Sequence, residues 1–218
     1  MSRYETDEEQ WEAIKQWWKE NGKSIVLTVA ITLAAVSGWK WWQTQQLNKA
    51  LHASGTFELL QLKAQSGQFE EVAREAERLK TEQPDSPYAS GAALLLGRYF
   101  AERKHDAAKA AEQFNWVVEH APEAAMKDVA HLRLARLYAD QKQFDKALVE
   151  LNRVPQTGLP KAEQALYQYV AGEVALLKGD RAAARAAFAK VLELTDAQDL
   201  KQLAQLQLDD LADVAKGG

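Results

Sequence analysis

The sequence predicts an all-α protein: a single N-terminal transmembrane helix, then a helical-repeat solenoid closed by a C-terminal capping helix. Three observations carry that reading. An uncharged apolar stretch lies between two clusters of tryptophan, the remainder of the chain repeats itself every 37–38 residues, and glycine, proline and cysteine are sparse (11, 5 and 0 of 218). Few helix breakers favour helices over strands. The absence of cysteine excludes disulfides, thiolate metal sites and cysteine nucleophiles. A net charge of −4 leaves no basic footprint, so nucleic acid is not an expected partner.

The anchor comes first. Ser24 to Trp39 reads SIVLTVAITLAAVSGW, with Lys23 before it and Lys40 after it. Sixteen residues are short for a bilayer, which needs roughly 20 at 1.5 Å rise. Trp17 and Trp18 on one side and Trp39, Trp41 and Trp42 on the other supply the remainder, because indole rings favour the headgroup interface. Trp18 and Trp39 are 21 residues apart, about 31 Å along a helix, which matches the hydrocarbon thickness. A soluble core helix seldom carries such brackets. A cleaved signal peptide is the other alternative, with Val36 and Gly38 small enough to precede a cleavage point. The segment before the span argues against it, being long, acidic and tryptophan-bearing.

Arg3, Lys15, Lys19 and Lys23 precede the span, against Lys40 and Lys49 in or beyond its far flank. Positive charge tends to stay cytoplasmic, which favours a cytoplasmic N-terminus and an exported C-terminal domain. The expected division is therefore a cytoplasmic segment over 1–23, a transmembrane helix over 24–42 and a repeat domain over 43–218. Thr6 and Glu9 have capping-box spacing, and Trp11, Ile14 and Trp18 recur at helical spacing. Together they predict a short amphipathic helix over 7–20 on the membrane lipid surface. Ala30, Ala34 and Gly38 recur every four residues, so another membrane helix can approach closely there, although small residues are also common in membrane helices generally.

The repeats are clearest over 131–154. Leu134, Ala135, Tyr138, Phe144, Ala147 and Leu151 have tetratricopeptide spacing: small residues where two antiparallel helices cross, large ones around the crossing, and a polar turn at 141–143. A fourth copy follows 37 residues later with Gly172, a Lys178-Gly179-Asp180 turn, Ala184, Phe188 and Val191. A second copy has Gly97, Phe100, Ala110, Phe114, Val117 and Pro122, and needs one inserted residue, expected in the turn at 105–108. A first, weaker copy has Leu60, a turn at 66–68, Phe69, Leu79 and Pro84. Pro84 and Pro122 each end a second helix. The extra residues beyond a 34-residue period belong to the links between repeats. Over 195–216, Leu200, Leu203, Leu206, Leu211 and Val214 are expected on one face of a capping helix, with Asp196, Asp199, Asp209 and Asp210 elsewhere.

No catalytic chemistry is legible. The glycines form no phosphate loop, no nucleophile elbow occurs, and His52, His105, His120 and His131 lack metal-ligand spacing. His105 reads as a turn residue, His120 as a helix-end residue suited to the helix dipole, and His131 as lying on an outer repeat helix. No cofactor or metal is expected, and the chain does not read as an enzyme. In such stacks the first helix of each repeat lines the concave face. The candidate peptide- or partner-binding positions are Arg98 and Glu102 in repeat two, Val129, Leu132 and Arg136 in repeat three, and Leu166, Tyr169 and Glu173 in repeat four. A mixed apolar and charged groove suits an extended peptide or a partner helix.

The stretches QWEAIKQWWKENGKS (10–24), GWKWW (38–42), LRLARLYADQKQFDKAL (132–148) and GDRAAARAAF (179–188), in this order, resemble the YfgM-like family, the ancillary subunits of the SecYEG translocon in Gram-negative bacteria. The resemblance covers the entire chain. It implies an inner-membrane anchor with a cytoplasmic N-terminus and a periplasmic repeat domain. It also implies association with SecYEG and with a PpiD-like, membrane-anchored periplasmic chaperone, assisting newly translocated, non-native polypeptides. The family defines no binding motif, so the groove residues rest on repeat geometry alone. A structural scaffold for another inner-membrane complex is the alternative.

If the span is an anchor it stays in the mature protein. Intact mass of the membrane-purified protein should give the full chain, and a species beginning near Trp39 would make the span a signal peptide.

Overall fold

The computed structural model describes residues 4–155 and 157–216, and side chains between Gln10 and Ala212 apart from Gln156. All regular structure among them is helical: α1 (Tyr4–Gln65), α2 (Phe69–Glu82), α3 (Pro87–Tyr99), α4 (Ala107–His120), α5 (Ala124–Asp140), α6 (Phe144–Arg153), α7 (Lys161–Lys178), α8 (Arg181–Leu194) and α9 (Gln198–Lys216). The chain forms two compact units, residues 1–52 and 53–218.

In the first unit the expected surface helix over 7–20 and the expected span are one uninterrupted helix, which corrects the sequence reading. Thr6 is not an N-cap, because the helix already begins at Tyr4; the side chains of Thr6 and Glu9, and all of Arg3, lie outside the described residues. The helix runs through Asn21-Gly22 because neither residue meets a stronger competitor. The Asn21 amide donates back to the Trp17 carbonyl at 3.1 Å, and the Trp18 ring covers Gly22. A helical glycine costs only about 1 kcal/mol relative to alanine. This helix is long and apolar enough to cross a membrane. Its apolar side chains face outward, Leu27 61% and Leu33 62% exposed, as a lipid-facing helix requires. The Thr28 and Thr32 hydroxyls donate to the carbonyls of Ser24 and Thr28, each at 2.8 Å, so both are satisfied without water. Residues 43–52 are exposed throughout, and the second unit begins at Ala53.

The second unit is a series of helical hairpins built from residues 53–65 with α2, α3 with α4, α5 with α6, and α7 with α8, capped by α9. Each hairpin turns on a left-handed residue: Gly67 (φ 81°), His105 (φ 52°), Lys142 (φ 61°) and Gly179 (φ 91°). In three turns the amide after it bonds five residues back: Gln68 to Lys63 O (3.0 Å), Gln143 to Tyr138 O and Asp180 to Ala175 O (both 2.8 Å). That closure satisfies carbonyls the helix end leaves free. In the second hairpin Asp106 reaches six residues back, to Phe100 O at 2.9 Å, because Phe100–Lys104 is a π-helical turn. The inserted residue is therefore absorbed at the end of the first helix, not in the loop at 105–108. A helix accommodates one extra residue as a π-turn without changing its direction.

Each hairpin crosses where one side chain is reduced so that the other fits. A Cβ on Gly97 would lie 2.3 Å from the Phe114 ring, and one on Gly172 would lie 2.7 Å from the Phe188 ring. At the equivalent positions repeat three carries Ala135 and Leu151, and repeat one carries Leu60 and Ala76. The volumes are reciprocal in every repeat, and all eight residues are buried. Between hairpins one and two, buried Lys80 is 2.9 Å from Glu77 Oε1 and 2.9 Å from Gln113 Oε1, over the Trp116 ring.

The cap departs from its expected pattern. Ala204 and Leu211 are buried against Ala165, Tyr169, Phe188 and Val191, with Leu200 and Leu208 beside them, whereas Leu203 and Leu206 are 48% and 57% exposed. The packed stripe follows 200, 204, 208 and 211, the true helical recurrence, and 203 and 206 fall beside it. The side chain of Val214 lies outside the described residues.

Gly97→Ala should destabilise the protein by about 1–3 kcal/mol through overpacking, read as the urea midpoint. Adding Phe114→Leu, which recreates the Ala–Leu pair of repeat three, should recover most of that loss. A double variant no more stable than Gly97→Ala would refute reciprocal volume as the rule of the crossing.

Candidate functional site

All eight predicted groove residues, Arg98, Glu102, Val129, Leu132, Arg136, Leu166, Tyr169 and Glu173, line one open concavity of about 530 Å³ in the second unit. It forms because α3, α5 and α7 are the first helices of successive hairpins, and α5 packs directly on α7. Val129, Leu132 and Arg136 share a face of α5 at spacings of three and four, and Leu166, Tyr169 and Glu173 do the same on α7.

The residues differ in what they offer. Leu132 and Tyr169 are mostly buried, at 4% and 9% exposed, and present only an edge to the groove; the Tyr169 ring packs on Phe188 at 5.6 Å. Tyr169 therefore packs more than it contacts solvent. The rim is charged. Arg98 Nε lies 2.9 and 3.0 Å from the two Glu102 oxygens, and Arg136 lies 3.4 Å from Glu173 Oε1. The Arg98–Glu102 pair is exposed and contributes little.

Glu173 is different, since its carboxylate is mostly buried and Oε2 has no hydrogen-bond partner among the described residues. Burial pushes its carboxyl above the ordinary value of 4.5, against the pull of Arg136 and of a hydrogen bond from the Tyr169 hydroxyl, and Asp140 pushes it further. Burial likewise raises the Tyr169 hydroxyl, with the Glu173 charge adding to it.

Sequence reasoning missed several lining residues. Arg133 lies four residues after Val129 on the same face of α5, and helical recurrence alone would have found it. Its guanidinium lies 5.9 Å from the Phe114 ring centre, and burial together with Arg98 and Arg136 lowers its pKa. Asp140 was missed as well. Leu200 and Leu203 of α9 also line the concavity, and no periodicity within the repeats could have announced them.

The histidines sit apart from the groove. His105 is the left-handed turn residue of its hairpin, and His120 ends α4 with its ring stacked on Trp116 at 4.5 Å. His131 is not on an outer helix: it lies on α5, buried, with Nδ1 2.6 Å from Glu150 Oε2 of α6. It occupies the side of α5 that packs on α6, between the groove-facing Val129 and Leu132. Among the described residues no cluster of His, Asp or Glu could hold a metal ion.

Successive helical hairpins with an open groove define a class of binding scaffold, and the family model described as a tetratricopeptide repeat-like domain matches residues 15–213. The chain belongs, within that class, to the YfgM-like family of ancillary SecYEG translocon subunits. It is 29% identical over 212 residues to the "Ancillary SecYEG translocon subunit" of Escherichia coli K12, covering 97% of this chain and all of that one. It is 30% identical over 206 residues to the protein of the same name from Haemophilus influenzae, covering 94% and 97%. A third relative of that name, from Aggregatibacter actinomycetemcomitans, is 29% identical over 211 residues, again covering 94% and 97%. No solved structure matches the chain significantly.

The raised Glu173 carboxyl has a sign. A carboxyl whose folded pKa exceeds its unfolded value destabilises the fold where it is ionised, and that cost fades as the pH falls through the folded value. Glu173→Gln should therefore raise the melting temperature at pH 7, with the gain shrinking towards pH 4.5. A gain that grows on acidification would refute the assignment.

Proposed function

We propose that this protein is a non-catalytic, inner-membrane subunit associated with the SecYEG translocon, whose groove holds extended segments of newly translocated polypeptides. The observation that carries the reading is an open concavity with an apolar floor and a charged rim. Such a groove suits a chain several residues long, whereas a drug-sized ligand needs a cavity that buries most of its surface. The three relatives named as translocon subunits support the partner. Charge asymmetry about the span supports a cytoplasmic N-terminus and a periplasmic second unit. A PpiD-like chaperone is the neighbour to which client would pass. Affinity for client should be weak, because an extended segment loses conformational freedom on binding.

Ala30, Ala34 and Gly38 are the proposed contact with a partner's membrane helix. All three are exposed, and a Cβ on Gly38 meets nothing within 4 Å, so the face is open to close approach.

One crosslinking experiment in native membranes tests both surfaces. A photoreactive residue at Ala34 should capture a translocon or chaperone helix, and one at Val129 should capture translocating chains. Arg136→Glu, which sets a second carboxylate beside Glu173, should cut the Val129 adduct several-fold without loss of helicity. Capture at Ala34 with no client at Val129 would mean a scaffold that holds a chaperone beside the channel.

A further inference from the structure

A second concavity, of about 670 Å³, lies on α1 itself, bordered by Trp18, Lys19, Gly22, Lys23, Val26 and Ala30. Gly22 has no side chain, so the Trp18 indole lies against the helix there, its Nε1 3.2 Å from where a Cβ on Gly22 would stand. The indole N–H is thereby held on the same face as the two lysines. Lys19 and Lys23 are one turn apart, about 6 Å along the axis, and both are exposed. Neither is paired with a carboxylate among the described residues. Lys15, one turn earlier, is engaged otherwise: its Nζ lies 5.5 Å from the Trp11 ring centre. Glu12 and Glu20, the carboxylates of residues 10–24, do not border the concavity.

The chemistry changes along this face. Trp18, Lys19 and Lys23 offer N–H donors and positive charge at the edge of the apolar stretch, where tryptophan favours headgroup depth. One and two turns further on, Val26 and Ala30 offer only hydrocarbon, inside the stretch that would span the bilayer. The ligand that fits is therefore anionic at one end and apolar along its length. A free phosphate would leave Val26 and Ala30 unused, and an apolar helix would cover two ammonium groups without a counter-charge.

We propose that this face holds one anionic phospholipid, its phosphate between Lys19 and Lys23 and beside the Trp18 N–H, with an acyl chain along Val26 and Ala30. A zwitterionic lipid suits it less, because its choline or ethanolamine would bring a third cation beside the two lysines. The inference rests on α1 crossing a bilayer and is independent of the groove. Only Ala30 is shared with the face proposed above for a partner's helix.

The test uses the full chain in nanodiscs holding equal phosphatidylglycerol and phosphatidylcholine with matched acyl chains. Lipid retained after mild extraction is identified and counted by native mass spectrometry. The wild type should retain phosphatidylglycerol over phosphatidylcholine by roughly tenfold or more, and Lys19→Gln and Lys23→Gln should each lower that preference roughly fivefold. Trp18→Phe, which keeps the ring and removes the N–H, should lower it by less. Lys15→Gln, outside the concavity, should leave it nearly unchanged, and millimolar glycerol phosphate should not displace the lipid. Circular dichroism confirms that each variant keeps its helicity. Equal retention of the two lipids would overturn the headgroup site, and so would a loss at Lys15→Gln as large as at Lys19→Gln, which would mean diffuse charge attraction. Displacement by glycerol phosphate would make it a site for a free anion. Failure of the wild type to enter the nanodiscs at all would remove the membrane reading with it.

Discussion

The architecture depends on how closely two antiparallel helices can cross within a hairpin. A Phe114 or Phe188 ring needs a partner with no Cβ, and Gly97 and Gly172 provide it. Where the ring is replaced by Leu151, Ala135 is tolerated, and in the first hairpin the large and small partners exchange sides as Leu60 and Ala76. Burying such an aromatic ring contributes about 2–3 kcal/mol, and close packing forfeits much of that if a methyl intrudes. The same spacing recurs along the stack, so the first helices of successive hairpins come side by side and leave one groove.

The turns preserve that spacing by a second device. Four left-handed residues, 38, 37 and 37 positions apart, end the first helices. Two are glycine, for which this conformation is inexpensive, and His105 and Lys142 adopt it with a side chain. The inserted residue of the second hairpin is taken up as a π-turn at Phe100–Lys104, and Asp106 still closes the helix end and caps α4 through Lys109 N at 3.0 Å. Placing the extra residue within a helix leaves the loop short and keeps Phe114 in register with Gly97.

The groove follows from this geometry more than from any residue in it. Its charges are arranged in pairs across short distances, Arg98 with Glu102 on one helix and Arg136 with Glu173 between two. Pairing leaves a concave surface that is polar at the rim, apolar in the floor and electrically balanced. Under the function proposed above, an extended segment would meet little selection for its side chains on such a surface. The family of ancillary translocon subunits and the apolar helix near the N-terminus fit a place beside the translocon.

The sequence alone determined the helical class, the repeat frame and the candidate groove face, because hydrophobic recurrence and small residues at the crossings are local signals that survive in one dimension. It also marked the apolar stretch, since tryptophans bracketing an uncharged run report a preference of side chains for surroundings. Tertiary structure decided the remainder. That the helix runs unbroken from Tyr4 to Gln65, with the Trp18 ring over Gly22, is visible only in the folded chain. That α9 packs through 200, 204, 208 and 211 and gives Leu203 to the groove depends on where the preceding hairpin ends. That Tyr169 and His131 are buried, and Glu173 Oε2 left without a partner, depends on which neighbours the stack brings near. Periodicity specifies the face of a helix, but only packing between helices settles how far each side chain on that face is removed from water.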